Sequence, residues 1–167
     1  MNPIRLAVLS SLLLGAASVG AQTLVGQPIA NEKRTLQAWA RQIECEQPAG
    51  DARRLDGRVR GQPFRVYTMN CNFVGGNAQW AAMMIGFHDG QRYTRVVAFA
   101  GGLSPTSSPT LRDGRLGYDA LVAKPEDARC CPSGKARVEI DMATLVRTTQ
   151  TIGFRGNFPP ERAKALR

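Results

Sequence analysis

The chain is poor in the residues that most catalytic and metal centres use. It has one histidine, His88, and four cysteines, none of them in a C-x-x-C pair. A single histidine excludes most histidine-ligated metal sites, and four thiolates at these spacings match zinc geometry poorly. G-x-S-x-G, H-E-x-x-H and Walker-type loops are all missing. His88 stands beside Asp89 in a turn-like stretch, where a general base has no evident nucleophile. Carboxylate pairs such as Glu44/Glu46, Glu126/Asp127 and Glu139/Asp141 are available, but no motif selects one for catalysis. The sequence therefore leans away from an enzyme and implies neither a cofactor nor a bound metal.

Long apolar runs are also scarce. Leu6–Val19 is the one candidate, and its 14 residues are too few to span a bilayer comfortably. Arg5 precedes it, and Val19-Gly20-Ala21 follows with small or modest side chains at positions −3 and −1. This is the pattern of a cleavable export signal, with processing expected before Gln22. Residues 22–167 then form a single domain of 146 residues, and loss of Arg5 lowers the formal charge from +9 to +8. A chain of that size buries roughly two-thirds of its unfolded surface, enough for one real core. A periplasmic or secreted location follows. The residue directly after the cleavage site is Gln22 and not cysteine, so lipid anchoring is not expected.

Export changes the meaning of Cys45, Cys71, Cys130 and Cys131. An even set in an oxidising compartment reads as structural disulfides. A bond between the adjacent Cys130 and Cys131 requires a strained eight-membered ring. Cys45 and Cys71 are therefore each expected to bond one member of that pair, closing loops of 60 to 86 residues. Which bonds which is open. A thiol redox protein is the alternative, though such pairs usually favour C-x-x-C or a helix start.

Periodicity gives the fold. Leu36, Trp39, Ala40 and Ile43 form a helical stripe over 31–46, capped by Asn31 and ended by Pro48-Ala-Gly50. Tyr67, Met69, Cys71 and Phe73 alternate with polar residues, as in a half-buried strand. Gln79–Phe87 is apolar on both faces, as a central strand would be. Tyr93–Ala100, Arg115–Ala123, the run through Val138, Ile140 and Met142, and Leu145–Phe154 complete the strands. Asp-Gly pairs at 56–57, 89–90 and 113–114 read as hairpin turns. Gly101–Pro109 reads as a mobile loop. The expected class is α+β: an N-terminal helix packed on a five- to six-stranded antiparallel sheet, or a small partly closed barrel. Pro159-Pro160 and the charges of the tail from about residue 155 predict an exposed, frayed end.

The segment Asp127-Ala128-Arg129-Cys130-Cys131-Pro132-Ser133 resembles the D-x-x-C-C-P-S element of secreted bacterial envelope proteins, the LppP/LprE-like lipoprotein family and its relatives. The likeness covers about a dozen residues, and the lipobox cysteine of that family is missing here. It implies an envelope location and a cysteine-stapled turn between two strands. It implies no activity.

Charge is the remaining functional hint. Lys and Arg number 22 against 13 Asp and Glu. Arg53, Arg54, Arg58, Arg60 and Arg65 oppose Asp51 and Asp56. Asp127, Arg129 and Lys135 flank the cysteine turn. These residues, apart from Arg65 and the two carboxylates of the first group, are the candidate partner-binding set. They suit an envelope protein or an anionic envelope polymer. Nucleic acid is disfavoured by the compartment and by the lack of a stacking series. The expected function is a non-enzymatic envelope binding or structural module. An anionic-polymer binder or an inhibitor-like β module using the Gly101–Pro109 loop is the alternative.

Overall fold

The computed structural model describes residues 23–45, 48–72, 79–99, 103–128 and 131–166. The expected export signal and the Gly75-Gly76-Asn77 turn lie outside them. Helix α1 spans Glu32–Gln42, and the Asn31 side chain accepts from the Arg34 amide, meeting one of the free amides of its first turn. The helix buries Thr35, Ala38, Trp39 and Ala40, while Leu36 and Ile43 are only partly covered.

Eleven strands follow: β1 (Pro48–Val59), β2 (Gln62–Asn72), β3 (Gln79–His88), β4 (Tyr93–Phe99), β5 (Ser104–Pro105), β6 (Thr110–Arg112), β7 (Arg115–Val122), β8 (Gly134–Asp141), β9 (Val146–Ile152), β10 (Glu161–Arg162) and β11 (Lys164–Leu166). They form two open antiparallel sheets where the sequence suggested one. The inner sheet runs β1-β2-β3-β4-β11 and the outer sheet β10-β9-β8-β7-β5, with β6 also on β7.

The division has a simple cause. Strands β2, β3 and β4 are apolar on both faces, and one short helix covers only one of them. Trp39, Leu24, Tyr67, Met84, Tyr93 and Val96 fill the layer between helix and inner sheet. On the other face Phe64, Ile85, Val97 and Phe99 meet Leu116, Val138 and Ile140 of the outer sheet. Leu103, 7% exposed, lies in this second layer and carries the chain from one sheet to the other. Each fully buried large apolar side chain contributes on the order of 1.5–3 kcal/mol. The outer sheet, by contrast, has one buried face, and β7 and β8 alternate strictly between buried positions and positions that are partly or fully exposed.

Three expectations fail for local reasons. First, Pro48-Ala-Gly50 does more than follow the helix: it opens a long strand over residues 48–59, and the first hairpin turns at Arg60-Gly61 instead of Asp56-Gly57. Gly57 sits opposite Phe64, and a Cβ there would come within 2.5 Å of the Phe64 ring, so glycine is what lets the ring lie across the strand. Second, the tail is not frayed. Strand β10 pairs with β9 and β11 with β4, so residues 161–166 join the two sheets. The guanidinium of Arg147 lies over the Phe99 ring at 5.1 Å and pairs with Glu161, anchoring this strap. Third, Cys45 bonds Cys71, with Cα atoms 5.3 Å apart. The end of α1 lands directly on β2, so neither cysteine reaches the Cys130-Cys131 turn. Cys131 is itself disulfide-bonded.

Candidate functional site

The exposed face of the outer sheet carries a groove of about 600 Å³. Its floor is Gly117, in the middle of β7. Alternation along the strand sends Leu116, Tyr118, Ala120 and Val122 into the core and leaves Arg115, Gly117 and Asp119 facing out. Across the ladder, Gly117 stands opposite Glu139 and Asp119 opposite Arg137.

Two ion pairs flank the glycine. Arg115 reaches Glu139 at 3.1 Å, and Arg137 reaches Asp119 at 3.4 Å. All four side chains are between 45% and 64% exposed. Pairs this open contribute little to stability, about 0–1 kcal/mol each, and can exchange partners with a ligand at small cost. Arg112 and Asp113 line the same groove and keep its formal charge balanced.

One wall comes from the stretch expected to be a mobile loop. Within it, β5 pairs with β7, the Thr106 amide donates to the Asp119 carbonyl at 2.8 Å, and the Asp119 amide donates to Ser107 Oγ at 2.8 Å. Ser107, Ser108 and Thr110 thereby present a hydroxyl-rich rim. The groove combines both charge signs with hydroxyl groups. Tyr118 is the only aromatic residue along it, and its side chain is buried in the core; burial pushes its hydroxyl above the ordinary phenol range.

Gly117 has no backbone or packing reason to be glycine. Its φ lies outside the left-handed region, and a Cβ added to it would meet nothing nearer than the Val138 carbonyl at 3.9 Å. Gly86, by contrast, gives way to the Tyr93 ring at 2.5 Å. The sequence pointed to Glu139 and to the Gly101–Pro109 stretch that holds Ser107 and Ser108, but not to Gly117, Arg115, Asp119 or Arg137, although a lone glycine interrupting the outward positions of an alternating strand was a readable signal.

The structure does not gather the candidate partner-binding residues at one site. Arg53, Arg58 and Arg60 are exposed on β1 and its turn, and Lys135 is exposed on β8 in the other sheet. Arg54 is engaged by Glu32 and Asp56, at 2.9 Å each, and Asp56 also holds Arg65 at 2.6 Å. Arg65, the second basic residue of this network, also donates to the Ile29 carbonyl. Asp127 is not offered to a partner. It accepts from the Lys124 amide, the Ser133 amide and Ser133 Oγ, all within 2.8 Å, closing its own loop. These bonds, the Lys124 amide foremost, hold its carboxyl below the usual range. Arg129 lies outside the described residues.

His88 accepts from the Gly90 amide and stands edge-on to Tyr93. Burial, then the charge of Arg65, lower its pKa. Among the described residues no group of three or more His, Cys, Asp or Glu is placed to hold a metal ion, and no helix is long and apolar enough to cross a membrane. No family model, curated protein or solved structure matches the chain.

Proposed function

We propose that the chain is an exported, non-enzymatic binding module that takes a short peptide segment bearing both charges in the groove above Gly117. The observation that carries this reading is the glycine itself. A β-branched or aromatic residue there would favour the strand, and no clash forbids one. Open volume between two ion pairs is what the glycine provides.

The ligand class follows from the walls. Asp113, Asp119 and Glu139 oppose a polyanion, while Arg112, Arg115 and Arg137 oppose a polycation. A peptide segment with a carboxylate and an ammonium can satisfy both sets, and its amides can reach the hydroxyl rim. An uncharged glycan would leave the ion pairs unused and find no exposed ring to stack on. A disulfide between Cys45 and Cys71 fits an oxidising compartment. Both sulfurs belong to buried residues, which works against a thiol-exchange role.

The test is an NMR titration of the oxidised protein with the uncapped tripeptide Ala-Glu-Lys, an acetylated and amidated Ala-Gln-Gln control, and dextran sulfate. Amide shifts at residues 115–119 and 137–139 are expected with the first probe alone. Gly117→Tyr should abolish them while its melting temperature stays level or rises. Equal binding by Gly117→Tyr, or no shift with the charged tripeptide, overturns the reading.

A further inference from the structure

A second surface, independent of the groove, lies at the free edge of the inner sheet. Of the strands at the sheet edges, β5 and β10 have two residues and β6 and β11 three, whereas β1 has twelve, of which Arg53–Val59 pair with β2 in unbroken register. Folded proteins usually shorten or cover such edges, because a row of unpaired amides and carbonyls invites another strand. Beyond its ladder with β2, no backbone bond to β1 occurs among the described residues. We infer that β1 is a docking edge for an extended, acidic segment of a partner protein, added as a further antiparallel or parallel strand.

The two faces of β1 specify that segment. Leu55 and Val59 lean on the layer between the sheets and are only partly buried, so apolar side chains on an added strand would extend that core. Basic charge surrounds them. Arg54 is neutralised by Glu32 and Asp56, but among the described residues Arg53 and Arg60 have no acidic partner, and Arg58 donates only to the Gly61 carbonyl. Arg58, and Arg60 in the turn after it, fall on the face opposite Leu55 and Val59 and call for carboxylates there on the incoming strand, while Arg53 adds charge at the start of the Leu55 face. Main-chain bonds would supply affinity, and the alternation of apolar and acidic side chains would supply register and choice of partner.

The same charges disfavour a second copy as the occupant. Two-fold antiparallel pairing centred on Asp56 sets Asp56 opposite its own copy and Arg54 opposite Arg58, and like charges across a ladder are destabilising. The edge is thus guarded against itself and open to an acidic strand.

The probe is the acetylated, amidated octapeptide of alternating Glu and Val, with the alternating Lys and Val octapeptide as control. Binding to the intact oxidised protein is followed by fluorescence anisotropy, and β1 amide protection by hydrogen exchange. The Glu-Val peptide is expected to bind and to slow exchange of alternate β1 amides at least tenfold. The Lys-Val peptide should not bind. Arg53→Glu combined with Arg58→Glu should weaken Glu-Val binding at least tenfold with an unchanged melting temperature. Gly117→Tyr should bind it normally, which separates this edge from the groove. Absence of binding, binding without added protection in β1, or binding indifferent to the charge reversal overturns the inference; the arginines would then serve only as a guard.

Discussion

The two sheets are built from similar strands but spend them differently. The inner sheet is covered on both faces, by α1 and by the outer sheet, and most of its described β2–β4 positions are buried. The outer sheet gives one face to the core and leaves the other to solvent. Stability is concentrated in the first, whereas the second can vary its exposed residues without touching the core. A groove, a mid-strand glycine and two loose ion pairs are affordable only on that second face.

Replacing side chains on either side of this divide should separate them widely. Trp39→Ala removes a fully buried ring from the helix layer and is expected to cost about 3–5 kcal/mol. Lys135→Ala, on the solvent face of β8, should change stability by less than about 0.5 kcal/mol. Denaturant unfolding of the two variants measures the contrast, and comparable losses would erase it.

Removing the Cys45–Cys71 bond by paired serine substitutions should cost somewhat less. Loop entropy over a separation of 26 residues gives about 3.5 kcal/mol as an upper figure. Peptide mapping of the unreduced protein provides the direct check, with residues 45 and 71 expected in one linked fragment.

Acid should produce the smallest and most gradual effect. Asp127 and Asp141 are held below the usual carboxylate range by backbone amides, Lys124 and Thr144 being the principal donors. At Asp56 burial pushes the carboxyl up, but the hydrogen bond and charge of Arg65, with Arg54, outweigh it and leave the pKa lowered. A carboxyl lowered on folding stabilises the fold above its unfolded pKa of about 4, and that contribution is lost as pH falls through the folded value. Melting temperature should thus be level near neutrality and decline below about pH 4, with Asp127→Asn showing a shallower decline.

The sequence announced the buried alternation of β2, β7 and β8 and the two-faced burial of β3, because period-two patterns survive wherever a sheet face meets a core. It did not announce β1. The apolar positions there, Ala52, Leu55 and Val59, are interrupted by arginines, and Asp56-Gly57 imitates a turn because Phe64 occupies the space above the glycine. The strap at 161–166 was hidden by Pro159-Pro160 and by its charges, one of which, Glu161, proves to be an anchor. Counting two sheets instead of one required knowing that the helix covers a single face. The cysteine pairing turned on where α1 ends in space, which ring strain at Cys130-Cys131 could not reveal. The groove was the least legible feature, since its walls come from ordinary surface charges brought together by ladder register.

The strap also sets an order of assembly. Until residues 164–166 arrive, β4 has an unpaired edge, and β9 lacks β10 until residues 161–162 arrive. A chain emerging from its N-terminus can form the helix and first hairpins early, but neither sheet gains its final strand before these last described residues are delivered. Completion of the two sheets therefore waits on residues 161–166, which follow every other strand along the chain.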